Sequence, residues 1–414
     1  VSRVRWTVLG ASVLVLLAVV VGALLGGQRT FAGFPPLFAY WLPHVGVGTP
    51  LALLVAVLVV AKGPELADRL PWRTALGAGY LAAVAWTISL ALVDGWDRGF
   101  AGRLTTSDEY LHEVPGVTDI GAMLRGFSAR ILDYQPDSWT THVSGHPPGA
   151  LLAFVGLDRI GLSGGAWAAL LCVLVGGLTA VAVPVALRAR GNDEAAARAV
   201  LPFAALFPGA VWVGVSADGL FAGVTACGIA LLALGRPLLA GLLLGLGIFL
   251  SYGLVLIGVV ALVVAWRNWK ALGLAVLGAV VVVAAFAAAG FWWLDGYHLV
   301  VERYYQGIAS SRVYHYWVWA NLAAAVLAAG LAPIAGLARA RRSPAAWLAG
   351  AAVAAVLFAD LSGLSKAEVE RIWLPFTVWL TAATAFLPAG SRRPWLAVQA
   401  GTALVVNHLL LTNW

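Results

Sequence analysis

Residues 271–291 read ALGLAVLGAVVVVAAFAAAGF, an unbroken run with no charged side chain. At 1.5 Å per residue, about 20 such residues cross the roughly 30 Å hydrocarbon core of a bilayer, and a helix satisfies its own backbone there. Residues 7–26, TVLGASVLVLLAVVVGALLG, repeat the pattern near the start of the chain. Working outward from these two, apolar runs between turn residues predict about thirteen spans. They lie near 7–26, 48–62, 74–94, 166–188, 196–214, 217–234, 236–250, 253–266, 271–293, 317–337, 344–361, 371–388 and 395–412. The expected fold is all-α: a polytopic integral membrane protein with one transmembrane domain over 1–414 and a long exterior loop over 95–165. Ser251-Tyr252-Gly253 interrupts 236–266, which reads as a hairpin of two short helices.

Composition agrees with that reading and excludes others. Of 414 residues, 61% are hydrophobic and 11% charged, against roughly 25% charged in a soluble domain. Continuous Leu/Val/Ala runs do not offer the alternation of an outer-membrane barrel. The net charge of +7 is spread over loops, so no basic face points to nucleic acid. Cys172 and Cys227 lie inside apolar runs and read as small core residues, with no disulfide framework or thiolate metal site. The first span reads as a signal anchor that is not cleaved.

Charge orients the spans. With Arg3 and Arg5 on the cytoplasmic side, alternation of spans puts 16 of the 26 Lys and Arg in short cytoplasmic loops. It leaves 15 of the 19 carboxylates and six of the seven histidines outside. Groups suited to proton transfer therefore gather on the exterior face of a plasma membrane protein, and function is expected there.

The exterior segment 95–165 is long for a loop without a task. Asp119 precedes Ile120, Met123, Leu124, Phe127, Ile131 and Leu132, the spacing of an amphipathic helix on the membrane surface with Arg125 and Arg130 toward lipid phosphates. His142-Val143-Ser144-Gly145-His146-Pro147-Pro148-Gly149 follows, and its prolines start a helix near 150–160 that is too short to span. Asp218 stands at the exterior end of two spans, where an acid is expensive. Two later stretches mix aromatics with charges: Asp295 to Trp317, holding Arg303 and Arg312, and Leu361 to Phe376, holding Glu370 and Arg371.

In combination, the acidic loop, the amphipathic helix, the His-Pro-Pro turn, the Asp after two further helices and the late Glu-x-Glu-Arg resemble the GT-C glycosyltransferases. The resemblance covers about 70–390 and looks most like the actinobacterial cell-envelope members, the methylthioxylose or arabinofuranose/mannose transferases. It implies an inverting enzyme that takes a sugar from a polyprenyl-phosphate donor and gives it to a glycan or lipid acceptor. It also implies an exterior carboxylate as base, matched by Asp119 through its distance from His146-Pro147-Pro148 or by Asp108-Glu109 through position soon after a span. Two departures stand out: Gly149 replaces the Leu that closes the family's His/Lys-Pro-Pro-Leu, and several spans precede the acidic loop where many members have one.

Such chemistry needs a base for the acceptor hydroxyl and donors for the departing phosphate. Asp119 has a second reading as an ordinary helix N-cap, and so does Asp108. Arg371 is the leading phosphate ligand because a guanidinium pairs bidentately and stays charged, with anchoring beside Trp373 as its structural alternative. Arg303 and Arg312 follow, while His142, His146, Glu370 and Asp218 are candidates for shaping the substrate site. For Asp218 the alternatives are orienting the acceptor, holding a divalent cation, or capping. Gly241 and Gly245 read as helix packing. Cys/His metal spacing, a Gly-rich phosphate loop and a Ser-His-Asp order are missing from the sequence, so ATP-driven and hydrolytic classes get little support; no cofactor is certain and a divalent cation stays open. The competing class is a lipid or sugar transporter or flippase, which would keep ionisable groups at the bilayer midplane on broken helices.

Overall fold

The computed structural model describes residues 2–413. Helix dominates all thirteen apolar stretches, and the fold is an all-α membrane bundle. Among the described residues, six helices are long and apolar enough to cross a membrane: Ser2–Leu25, Gly48–Arg69, Trp72–Asp94, Gly165–Ala189, Trp269–Ala288 and Pro344–Leu361. A seventh crossing forms if Tyr314–Ala329 and Leu331–Leu337 count together; they bend by 102° at Gly330, whose φ of +86° suits a residue without Cβ. Apolarity locates these segments but does not register the breaks that Gly, Pro and Ser introduce, so several predicted spans are shorter helices. Among them are Asp218–Ala233, Pro237–Leu250 and Leu374–Phe386. The break predicted at Ser251 is present, with extended backbone there. Beyond it Ile257–Val264 packs on Pro344–Leu361, whereas Pro237–Leu250 packs on Trp269–Ala288.

Small residues set the closest contacts. A Cβ on Gly241 would collide with the Ala275 carbonyl, and one on Gly245 would lie 2.7 Å from Ala279 Cα, which is the helix packing read from that pair. On the first helix Ala18 and Gly22 face inward, while Leu9, Val13, Leu16, Leu17, Val20 and Leu24 are exposed along one stripe. An exposed apolar stripe of this length is the surface a bilayer covers.

Two sequence expectations change. The last span ends early: helix Arg392–Leu409 gives way to a strand, Leu410–Thr412, paired antiparallel with Ala39–Trp41 in the register Tyr40 opposite Leu411. The amphipathic helix is also shorter than its spacing implied, running Ile120–Gly126 before a tight turn at Ser128–Arg130. Its apolar face does not lie on the membrane. Met123, Leu124, Phe127 and Ile131 are buried in the main core, and Arg130 is occupied by Glu113 at 3.5 Å and by the Trp139 ring.

The loops fall into two sets at opposite ends of the spans, as alternation requires. One end is tied by basic residues: Arg198 and Arg188 bind Glu194 at 2.6 and 2.7 Å, and Arg198 Nη1 also donates to the Leu70 carbonyl at 2.8 Å. The other end gathers segments from 31–47, 94–165, 214–218, 293–317 and 362–373. There His44 Nε2 meets Asp94 Oδ1 at 2.6 Å, and the Phe38 amide donates to Glu370 Oε1 at 3.0 Å.

Candidate active site

At that second end, short irregular segments bring acids and guanidiniums together below the surface. Glu109 has extended backbone before the one-turn helix Tyr110–Glu113, so its side chain turns inward and is buried, while neighbouring Asp108 stays exposed. The Asp108 carbonyl accepts the His142 amide at 2.9 Å and His142 Nδ1 at 3.0 Å, which sets the imidazole; Glu109 Oε1 lies 3.3 Å from the same Nδ1. His142 Nε2 faces Arg371 Nη2 at 3.2 Å. Because a guanidinium only donates, Nε2 must accept and the network assigns the proton to Nδ1. Burial, and then the Arg371 charge, push the His142 pKa well below the ordinary histidine value, in keeping with a neutral ring.

Arg371 ties its own segment to His142 and Asp218. Its Nη1 binds Asp218 Oδ2 at 2.8 Å and its Nη2 binds Glu368 Oε2 at 2.9 Å, with all three side chains largely buried. The other oxygen of Glu368, Oε1, accepts from Arg312 Nη2 at 3.0 Å, so charges alternate along Asp218, Arg371, Glu368 and Arg312. Burial alone would raise Glu368, but Arg312 and Arg371 hold it below the usual glutamate value. Such pairing is what makes buried charge tolerable. Arg312 Nη1 donates to the Lys366 carbonyl at 2.6 Å, while its buried Nε has no hydrogen-bond partner among the described residues.

Two carboxyls nearby behave differently. Burial pushes Glu109 up to about 7 although the charges of Arg371 and Arg103 oppose the rise. Glu370 is likewise pushed to about 7 by burial; its Oε1 takes the Phe38 amide and its Oε2 has no hydrogen-bond partner among the described residues. A carboxyl near 7 exchanges its proton readily at neutral pH, as a general base must.

The structure thus brings together Glu109, His142, Asp218, Arg312, Glu370 and Arg371, with His146 one turn on, its Nδ1 donating to the His142 carbonyl at 2.8 Å. It does not bring in Asp119, which is exposed and accepts the Ala122 amide at 2.9 Å as an N-cap. That hydrogen bond lowers its pKa, and the side chain lines a separate cleft of about 230 Å³ with Val117, Arg130 and Trp139. Asp108 accepts from Thr141 Oγ1 at 3.1 Å, and Arg303 is held by Asp133 at 2.6 Å, outside the buried network. The carboxylate of Asp218 is taken by a guanidinium, and among the described residues no group of three His, Cys, Asp or Glu is arranged to hold a metal ion.

Sequence reading missed Glu368. In Glu368-Val369-Glu370-Arg371 the two acids are equivalent as letters, but φ of +64° at Glu368 throws its side chain toward Arg371 and Arg312 while Glu370 turns to Phe38. The substitution at Gly149 has a reason too, since a Cβ there would lie 2.5 Å from the Phe249 carbonyl oxygen.

No protein-family model and no curated protein matches the chain. Among solved structures, ArnT from Cupriavidus metallidurans in the apo state is similar at 20% identity with a TM-score of 0.46. The match covers 75% of this chain and 60% of that one, so the chain spans less than two thirds of the length of its structural neighbour.

Proposed function

We propose that the chain is a membrane glycosyltransferase of the GT-C kind. It moves a sugar from a polyprenyl-phosphate donor to a cell-envelope glycan or lipid acceptor, with inversion, on the exterior face of the plasma membrane. The observation that carries this reading is the buried alternation Asp218, Arg371, Glu368, Arg312, set beside a carboxyl near pH 7 at the end of an otherwise apolar bundle. The distance from His146-Pro147-Pro148 favours Asp119 and position soon after a span offers Asp108 or Glu109; burial and the neighbouring Arg371 charge favour Glu109 as base.

In this mechanism the acceptor oxygen bonds to the anomeric carbon as the bond from that carbon to phosphate breaks. The hydroxyl proton passes to Glu109, and the electron pair leaves on the phosphate oxygen. Neutral His142 cannot compete for the proton and keeps Glu109 and Arg371 in register. The guanidiniums of Arg371 and Arg312 supply a fixed positive field for the departing phosphate, and the Arg312 Nε–H suits one of its oxygens. The transporter reading has less support, because the ionisable cluster lies where loops meet helix ends and is locked by mutual pairing.

The test is release of polyprenyl phosphate and labelling of acceptor when the purified protein is given a panel of polyprenyl-phosphate sugars. Arg371→Ala should cost about 30- to 1000-fold in turnover, with only partial recovery in Arg371→Lys, which loses the fork. Transfer unaffected by Arg371→Ala at matched expression overturns the reading.

A further inference from the structure

The turn that delivers Glu368 is held on its N-terminal side by side chains, while the Glu368 carbonyl accepts the Arg371 and Ile372 amides of the helix that follows. Between helix Pro344–Leu361 and the one-turn helix Val369–Ile372, the chain passes through Ala367 at φ +71° and Glu368 at φ +64°. Two successive residues with a Cβ in the left-handed region are strained, because the Cβ crowds the neighbouring carbonyl there. The backbone hydrogen bonds of 365–367 all go to side chains. The Ser365 carbonyl accepts Asn321 Nδ2 at 2.6 Å, and the Lys366 amide donates to the Tyr304 hydroxyl at 2.9 Å. The Lys366 carbonyl accepts Arg312 Nη1, and the Ala367 amide donates to Asn321 Oδ1 at 3.2 Å. Asn321 therefore brackets the turn from both sides. Its second amide proton goes to Asp360 Oδ1 at 2.9 Å, and both Asn321 and Asp360 are buried.

That arrangement fixes which way the Asn321 amide faces. Nδ2 meets a carboxylate and a carbonyl, both acceptors, and Oδ1 meets a donor, so a flipped amide would lose all three bonds. Asp360 has the use of an anchor that prevents the flip. We infer that Asn321, oriented by Asp360, is a positioning residue: it clamps the left-handed turn at Ala367-Glu368 and so holds the Glu368 carboxylate between Arg312 and Arg371. Its effect on sugar transfer rests on the function proposed above, whereas the clamp itself is a statement about the turn.

The experiment separates the two. Full-length protein in nanodiscs is compared as wild type, Asn321→Ala, Ala367→Gly and the double variant, by hydrogen exchange, melting temperature and transfer rate. Asn321→Ala should speed exchange of the amides around 365–370 selectively and lower transfer by about 10- to 100-fold, the scale of a misplaced charged group. Glycine takes positive φ without strain. Ala367→Gly alone should therefore fold and transfer normally, and in the double variant it should recover part of the melting temperature and of the transfer rate. The unclamped amide should still exchange quickly there. Unchanged exchange in Asn321→Ala overturns the clamp, and so does a double variant no better than the single one. If Asn321→Ala does not fold, rescue of folding by Ala367→Gly supports the clamp, and failure of both to fold makes Asn321 a packing residue and overturns it. Exchange and melting that follow the clamp, in a wild-type protein inactive toward every donor, would leave the clamp standing and remove the glycosyltransfer reading.

Discussion

Glu109 and Asp119 are both acids in the segment 95–165, yet water treats them oppositely. Asp119 sits in solvent, stabilised as an anion by the Ala122 amide; Glu109 is enclosed, and its charged form is penalised by burial. Asn caps as well as Asp, so Asp119→Asn should keep melting temperature and transfer nearly unchanged. Glu109→Gln keeps shape but cannot take a proton, and transfer should fall at least about 100-fold with the protein still folded. The pH dependence has a definite sign. A base near 7 must be ionised to work, so kcat/KM should climb through about pH 7 and level off above it. Stability runs the other way: with the folded value above the ordinary 4.5, the contribution of Glu109 is full below about 4.5 and is lost as pH rises through about 7. Glu109→Gln should remove that decline in melting temperature. An active Glu109→Gln beside an inactive, folded Asp119→Asn would return the base to Asp119.

At the level of elements, the helix Pro148–Arg159 shows a physical cause for the glycine at 149. Its prolines fix the start, as the sequence implies. Its first turn then packs so closely on the end of Pro237–Leu250 that only a residue without a side chain fits at 149. Leu at that position, the residue the resemblance would supply, should force the two helices apart and cost about 1–3 kcal/mol, read as a lower melting temperature. A Gly149→Leu protein that melts like wild type would show that the contact yields. The segment after Asp119 carries the opposite lesson. Apolar spacing located Met123, Leu124, Phe127 and Ile131 as inward residues, but Ile120 is exposed, a tight turn follows Gly126, and most of the face that reads as lipid-seeking belongs to the core. Spacing identifies an apolar face and is silent about whether lipid or protein will cover it.

For the molecule as a whole, the separation of basic and acidic loops makes a topological prediction. With the basic end cytoplasmic, a cysteine at exposed Asp137 should react with a membrane-impermeant reagent on intact cells, and one at exposed Arg341 only after lysis. The reverse pattern would turn the bundle over and place the site in the cytoplasm. The helical membrane class, the approximate positions of the spans and the exterior location expected for the acids all follow from length, apolarity and charge, because bilayer thickness and the cost of buried charge act on each segment separately. Residues such as Arg371, Asp218 and His142 could be suspected for the same reason. Their pairing could not be read, nor could the choice of Glu368 over Glu370 or of Glu109 over Asp119. Those depend on a backbone turn at Ala367-Glu368 and on contacts between segments up to 332 residues apart. Local preference acts along the chain, whereas the burial and partners that decide charge chemistry exist only once distant loops have closed on one another.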